Sequence, residues 1–374
     1  MLDASSAYAG VTLLVFQALM HGRVALDNWR KTGHPSGFDF QTFWLASHLT
    51  LHGTPLLAYD WHAILKTAKL ISPNAEDPGP WFYPPNFLLI VEPFALLPSS
   101  IASVIFTSLT ALIFIVLARK TLNMPDSMVW IIAFPGLWLN VAQGQNAALT
   151  GALAFGALLA LRTRPVLAGV LIGLLSIKPH LGILFPVALA CAGLWTTFIA
   201  AGVTVTLFTA ISVAVFGGAI VPAFLHGLGK AHVHLTNGTL PWDQMASLYA
   251  ALRLRHVPAS AAYVAQACQA VLAVASVASV ASVASVASVA WVWRNNRALE
   301  ARAAALIGGT FLISPYIYNY DCVWLGIALA LLAARTPRGG WLRGERALLA
   351  LVWIYPLIGN AFESLAGLGP LVFH

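Results

Sequence analysis

Apolar stretches that approach the thickness of a bilayer recur along the whole chain, and they limit what it can fold into. Charged residues make up 9% of the 374 residues and hydrophobic residues 59%, with a mean hydropathy of +0.79. Soluble domains are about half apolar and a quarter charged, whereas a crossing helix needs roughly 20 mostly apolar residues. The composition therefore predicts an all-α polytopic membrane protein, with residues 1–374 forming a single integral-membrane domain.

The apolar pattern predicts a bundle of about eleven transmembrane helices, several of them short and broken. We count residues 86–120 as one broken crossing, because prolines interrupt its first part. Short crossings are tolerated where they surround a protein-lined or water-filled cavity. Two polar segments are predicted between crossings: a first external loop over residues 27–85, whose part at 40–51 we expect to lie flat at the interface, and a second large external loop over 217–260.

Basic residues indicate the orientation. Most Lys and Arg clusters fall on one side of the predicted bundle, which the positive-inside rule makes cytoplasmic. Arg23, Arg30 and Lys31 lie on the other side and argue against this assignment. The net charge of +7 is scattered between the spans, so topology explains it better than a nucleic-acid partner. We expect a multi-pass protein of the bacterial inner or plasma membrane.

Asp39 is the most informative polar residue. It stands between Phe38 and Phe40 in the first external loop of a chain that is poor in charge. A carboxylate at membrane depth must be solvated by a polar cavity, be paired with a cation, or have a function. The alternative is an ordinary loop aspartate beside a belt of interfacial aromatic residues.

Two polar turns are expected on the same, non-cytoplasmic side. The first contains Gln145 and Asn146, and Asn146 can cap the next helix and leave backbone N–H groups free for an anion. The second contains Lys178 and His180, where the lysine offers positive charge to a phosphate. A simple capped turn and a lysine reaching the headgroups are the respective alternatives.

The second external loop carries further candidates. His232, His234 and Asp243 could be drawn as a metal site, but a loop histidine pair is usually only solvated, so no metal or other cofactor is expected. Arg253 and Arg255 are predicted to bind a donor phosphate, or else to anchor the loop at the interface.

An aromatic and acidic turn follows Ser314-Pro315. Aromatic rings stack on the apolar faces of sugars, and carboxylates and amides bond sugar hydroxyls. The turn therefore favours a sugar ligand, with an interfacial turn as the alternative. The predicted substrate-binding residues are Tyr83, His180, Asp243, Tyr316, Tyr318, Asn319, Tyr320 and Asp321.

Several of these motifs, in this order, resemble glycosyltransferase family 87 of the GT-C superfamily, over about residues 37–334. The resemblance is carried by Asp39-Phe40, Gly53, Tyr59-Asp60, Tyr83-Pro84-Pro85, Gln143-Gly144-Gln145-Asn146, Lys178-Pro179 and Ser314-Pro315 through Asp321. It implies a GT-C-type bundle that transfers a hexose, commonly mannose, from a polyprenyl-phosphate sugar to a lipid or glycan acceptor, on the extracytoplasmic or periplasmic face, with inversion.

In that mechanism an acid of the first external loop is the general base, and Asp39 matches its position. Lys178, Gln145, Asn146, Arg253 and Arg255 are the expected donor-phosphate residues. Some family members carry histidine in the turn after Ser-Pro, where this chain has tyrosines.

The implied partners are the polyprenyl-phosphate donor, a glycolipid or glycan acceptor and the bilayer, without nucleic acid. The alternative from another class is a transporter or flippase of a lipid-linked or anionic substrate, because broken helices with polar residues also describe transport pathways.

Overall fold

The computed structural model is built from helices, which confirms the all-α prediction. It describes residues 4–32, 38–73, 75–122, 124, 127–272, 285–296 and 298–368. Within these ranges the β-structure consists of one isolated antiparallel bridge between Met245 and Tyr318.

Nineteen α-helices occur in the described ranges. They are α1 Ala4–Thr32, α2 Phe38–Leu51, α3 Trp61–Ile71, α4 Pro85–Val91, α5 Ser99–Leu122, α6 Ser127–Ile132, α7 Pro135–Gln143, α8 Ala147–Ala160, α9 Pro165–Leu174, α10 Pro179–Gly182, α11 Phe185–Cys191, α12 Trp195–Phe216, α13 Ile220–Asn237, α14 Leu248–Arg253, α15 Ala259–Leu272, α16 Ser285–Asn295, α17 Leu299–Ile313, α18 Leu325–Gly339 and α19 Glu345–Leu368. Short 3₁₀ helices lie at Pro55–Tyr59, Glu92–Leu96, Leu175–Ile177, Trp242–Gln244 and Asn319–Trp324.

Two helices of the described chain, Ser99–Leu122 and Trp195–Phe216, are long and apolar enough to cross a membrane. Several other predicted crossings are present as shorter apolar helices. The predicted crossing at 261–293 is seen only as α15 and α16, since residues 273–284 of its Ala-Ser-Val repeat lie outside the described residues. The count of about eleven crossings therefore stays a prediction.

The break between α6 and α7 shows why the predicted crossings are interrupted. Pro135 begins α7, and a proline cannot donate the hydrogen bond that would continue α6. Two side chains satisfy carbonyl groups at the break: Gln17 Nε2 donates to Ala133 O at 2.6 Å, and Trp138 Nε1 donates to Ile132 O at 2.7 Å. The break is thus a stabilised part of the fold.

Helix α2, in the segment predicted as the first external loop, is packed into the protein: Phe40, Phe43 and Ala46 are each at most 1% exposed. Its position relative to the membrane interface stays a prediction. Apolar or small side chains occupy all of its faces, so it fills a core position. Helix α3 behaves as a surface helix instead, with Ile64 buried and Lys66 exposed.

The segment predicted as a second large external loop, 217–260, is mostly helical. It contains the 18-residue helix α13 and the shorter α14. Its apolar residues recur at helical spacing, and α13 packs against the 3₁₀ turn Pro55–Tyr59. The two segments predicted as external loops therefore pack together.

The buried apolar side chains form two clusters. One is built around Phe155, Tyr249 and Trp324, and the other around Phe43 and Phe87. We call them the first and the second cluster. The turn after Ser314 belongs to the first cluster, and the start of α2 belongs to the second. Polar residues from both sides therefore meet where the two clusters adjoin.

Helices α9 and α12 approach each other closely through glycines. A Cβ atom added to Gly169 would lie 2.5 Å from Thr197 O and 2.5 Å from Ala200 Cβ, and one added to Gly173 would lie 2.5 Å from Thr204 Cβ. Small residues four apart allow helix backbones to approach in this way. Because Thr197 O is a backbone atom, no side-chain rearrangement relieves the first contact.

We expect Gly169→Ala to destabilise the protein by about 1–3 kcal/mol, the usual cost of overpacking. Gly202→Ala is the matched control, because a Cβ there meets nothing within 4 Å and alanine favours a helix. Thermal unfolding in detergent measures both. Equal midpoints for the two variants would contradict the tight α9–α12 contact.

Candidate active site

Asp39 lies at the start of α2, half-buried, where the two clusters adjoin. Its carboxyl group is hydrogen-bonded to the side chain of Gln145 and lies within electrostatic range of Lys178 and Asp321. These four residues come from distant parts of the sequence. The structure therefore brings together the acid at the start of α2 and the later polar turns.

A glycine turn fixes the distance between α2 and Gln145. Gly144 ends α7 with φ +70°, a left-handed conformation that glycine adopts without strain. A Cβ atom on Gly144 would lie 2.7 Å from Phe40 Cβ and 3.3 Å from Phe40 N. The turn thus packs directly on the backbone next to Asp39, which a larger residue would prevent.

The helix after this turn is capped by Asn140, and the prediction that the Asn146 side chain caps it was wrong. Asn140 Oδ1 accepts from Ala148 N at 3.1 Å, and Asn140 O accepts from Gln145 N at 3.0 Å. Asn146 makes no side-chain cap. Sequence reasoning missed Asn140 because it lies inside the preceding helix, where no local pattern identifies a cap for the next one.

Asn146 is instead fully buried with a free amide. Its exposure is 0%, and neither Oδ1 nor Nδ2 has a hydrogen-bond partner among the described residues. Buried polar groups are normally hydrogen-bonded. An unpaired amide at the N-terminus of α8 is therefore a group that a ligand could satisfy.

Gln145 is the centre of the hydrogen-bond network. Its Oε1 accepts from Tyr83 Oη at 3.1 Å and from Asn146 N at 3.2 Å. With Oε1 occupied in this way, the amide nitrogen is the group that faces the Asp39 carboxyl. Gln145 thus orients Asp39 and Tyr83 relative to each other.

Lys178 and Asp321 form a buried ion pair. Lys178 Nζ donates to Asp321 Oδ1 at 2.6 Å, and the side chains are 3% and 0% exposed. The ammonium also lies over the Tyr320 ring, 4.8 Å from its centroid, and Asp321 Oδ2 accepts from Tyr318 N at 3.2 Å. Both charges are therefore fixed, and the ammonium retains donors that Asp321 does not use.

The tyrosine turn lines the same cluster. The Tyr318 and Tyr320 rings stack with centroids 5.0 Å apart, and the Tyr316 ring meets His180 edge-on at 5.6 Å. Asn319 Oδ1 accepts from Gln143 Nε2 at 3.2 Å, which ties the turn to α7. The rings supply apolar faces and hydroxyls beside the carboxylates.

Burial dominates the electrostatics of the cluster. It raises the pKa of the Asp39 carboxyl above its ordinary value, and the hydrogen bond from Gln145 and the charge of Lys178 oppose this shift. Burial likewise raises the pKa values of Tyr83 and Tyr320 well above 10. The tyrosines are therefore neutral hydroxyls, and burial disfavours the ionised form of Asp39.

Other predicted residues lie outside this network. Arg253 donates to the Val257 and Thr236 carbonyls at 2.7 and 2.9 Å, and Arg255 donates to Ala251 O at 3.0 Å. Asp243, in the 3₁₀ turn Trp242–Gln244, makes no hydrogen bond with the described residues. Their substrate-binding and phosphate-binding roles stay predictions.

The histidines of segment 217–260 have different contacts. His232 Nδ1 lies 3.3 Å from Tyr263 Oη, and the His234 ring meets Trp61. Within the described ranges, no group of three or more His, Cys, Asp or Glu side chains is arranged to hold a metal ion.

Apolar helices thus surround a buried lysine–aspartate pair, a half-buried carboxyl group and several tyrosines. The family model of glycosyltransferase family 87 matches residues 81–315, so the chain belongs to this family of membrane-bound transferases. The match includes Tyr83, Gln145 and Lys178, whereas Asp39 and Asp321 lie outside it. No curated protein and no solved structure matches the chain significantly.

The buried ion pair yields a stability prediction. We expect Lys178→Met or Asp321→Asn alone to destabilise the protein by roughly 3–5 kcal/mol, because each leaves an uncompensated buried group. The double variant recovers most of this loss, since asparagine still accepts from Tyr318 N. Unfolding in detergent measures each variant.

The matched control is the Arg335–Glu345 pair, in which the arginine is 34% exposed. We expect Arg335→Met to cost about 1 kcal/mol or less. Single variants of the buried pair that lose no more stability than this control would show that the pair does not hold the site together.

Proposed function

We propose that the protein transfers a hexose, with mannose the favoured sugar, from a polyprenyl-phosphate donor to a lipid or glycan acceptor on the non-cytoplasmic face of the membrane. The reaction inverts the anomeric carbon, with Asp39 as general base. The observation that carries this proposal is the meeting of half-buried Asp39 with the buried side chains of Gln145 and Lys178 in one cluster. Family membership favours transfer over the transporter alternative.

Asp39 has the environment that a base requires. An inverting transfer needs one group to take the proton of the acceptor hydroxyl while the donor phosphate leaves from the opposite side of the sugar. A carboxylate whose pKa is raised by burial accepts that proton more readily. Gln145 holds the carboxylate in place, so its lone pairs are directed by a fixed partner.

Charge on the leaving phosphate is met by Lys178 and the N-terminus of α8. The ammonium keeps donors beyond the one given to Asp321, and Asn146 Nδ2 is an unused donor in a buried position. Preorganised donors at developing charge are a large source of rate enhancement. Asp321 acts as a positioning residue, because it touches Lys178 and the tyrosine turn.

The tyrosines complete the donor site. Stacked Tyr318 and Tyr320 offer ring faces to a pyranose, and the Tyr83 hydroxyl is aligned by Gln145. Neutral hydroxyls suit sugar recognition, because they both donate and accept hydrogen bonds. Aromatic faces and hydroxyls around two carboxylates support a sugar substrate better than an inorganic ion.

Asp39→Asn is expected to lower transfer by two or more decades, since asparagine keeps the shape but cannot accept the proton; general bases contribute about 10²–10⁴-fold. Purified protein with radiolabelled polyprenyl-phosphate mannose and membrane lipid extract measures the transfer. Glu300→Gln is the control, because it makes the same kind of substitution in the first turn of α17, outside the network. Equal rates for Asp39→Asn and wild type would remove Asp39 as the base.

The pH dependence provides a second test. Only ionised Asp39 accepts a proton, so kcat/KM falls as pH drops through its raised pKa, above the ordinary carboxyl range of about 4. Gln145→Leu removes a hydrogen bond that lowers this pKa, so the acid limb moves to higher pH. Gln244→Leu is the control, because it makes the same substitution outside the network. An acid limb that stays at the same pH in Gln145→Leu would contradict the coupling.

A further inference from the structure

Three aromatic rings outside the catalytic network form a small platform. The ring of His234 on α13 lies 5.1 Å from the Trp61 ring at the start of α3 and 6.0 Å from the Phe82 ring. All three side chains are partly exposed. Two external helices and the extended segment before Pro84 therefore contribute one ring each to a shared surface, which we call the aromatic platform.

Hydrogen bonds fix the orientation of Trp61. Its Nε1 donates to Asp77 Oδ1 at 2.7 Å, and the same oxygen accepts from Gly79 N at 2.9 Å. Asp77 is exposed, and its Oδ2 has no partner in the part of the chain that the structure describes. The ring nitrogens of His234 likewise have none there. The platform thus joins preoriented aromatic faces to unused hydrogen-bonding groups.

The platform adjoins the catalytic network. Phe82 precedes Tyr83, whose hydroxyl donates to Gln145, so the two aromatic residues are about 3.8 Å apart at Cα. Tyr59 Oη donates to Tyr83 O at 3.0 Å, which ties the start of α3 to the same segment. The Phe82 ring packs on the first cluster and the Tyr83 ring on the second, so the platform and the catalytic network share this segment but lie on different sides of it.

The charge of the surroundings restricts the ligand. Asp77 contacts Trp61 through a hydrogen bond, and its negative charge disfavours an anionic phosphate beside that ring. Ring faces combined with a carboxylate and an imidazole match a neutral polyhydroxylated ring, whose C–H face stacks and whose hydroxyls bond. The chemistry differs from that of Lys178 and Asn146, which suits a phosphate.

We propose that Trp61, Phe82 and His234, with Asp77, form an acceptor subsite, which binds one pyranose ring of an extended acceptor saccharide beside the segment that carries Tyr83 into the catalytic network. This inference rests on the proposed transfer to a glycan or glycolipid. It assigns the donor to the tyrosine and lysine cluster and the acceptor sugar to the aromatic platform.

Saturation-transfer NMR tests the binding directly, with protein in lipid nanodiscs and methyl α-pyranosides of mannose, glucose and galactose as probes. Wild type is expected to transfer saturation to at least one of them, and Trp61→Ala is expected to abolish the signal. Trp61→Phe and Asp39→Asn retain it, because the first keeps a ring and the second leaves the platform intact. Trp291→Ala, at an exposed tryptophan of α16, is the matched control.

Kinetics provide the second arm. Trp61→Ala is expected to raise KM for the acceptor about tenfold, the size of one aromatic contact with its buried area, with KM for the donor unchanged. Asp77→Asn keeps the anchor of Trp61 and gives a smaller rise.

Each result has a defined meaning. No saturation transfer from wild type to any probe, or equal transfer from Trp61→Ala, overturns the aromatic platform even if sugar transfer is observed. Saturation transfer that depends on Trp61 supports the platform even if polyprenyl-phosphate mannose proves not to be the donor. Failure of the inference and failure of the proposed function are thereby distinguished.

Discussion

The ion pair between Lys178 and Asp321 is the interaction on which the arrangement of the site depends. Its two residues join the turn before α10 to the tyrosine turn, and both charges are nearly inaccessible to water. A buried charge without its partner is costly, so each residue fixes the position of the other. The pair thereby places an ammonium beside Tyr320 and within electrostatic range of Asp39.

Close backbone contact provides the other constraint. Gly144 allows the turn after α7 to touch Phe40, and this contact sets the start of α2 against Gln145. The site is thus formed where two hydrophobic clusters adjoin, with polar groups supplied from each side. Rigid packing on both sides explains how a short network can orient Asp39.

Much of this could be predicted from the sequence, and the errors have physical reasons. Scarce charge and recurrent apolar runs predicted helices. Asp39 and Lys178 were predicted as site residues because isolated polar groups in such a chain are costly. Predicted crossings were broken where prolines remove backbone donors. The cap of α8 was assigned to Asn146 although Asn140 provides it, because a cap from the preceding helix depends on how α7 folds back.

The sequence by itself determined that the chain is helical and apolar, and that its few polar residues are too costly to be incidental. Tertiary structure alone decided their partners: Lys178 pairs with Asp321, 143 positions away, and Gln145 joins Tyr83 to Asp39. It also decided that α2 is buried. Composition and periodicity are local properties, whereas the partner of a charge or a ring depends on packing between distant segments, which no local pattern records.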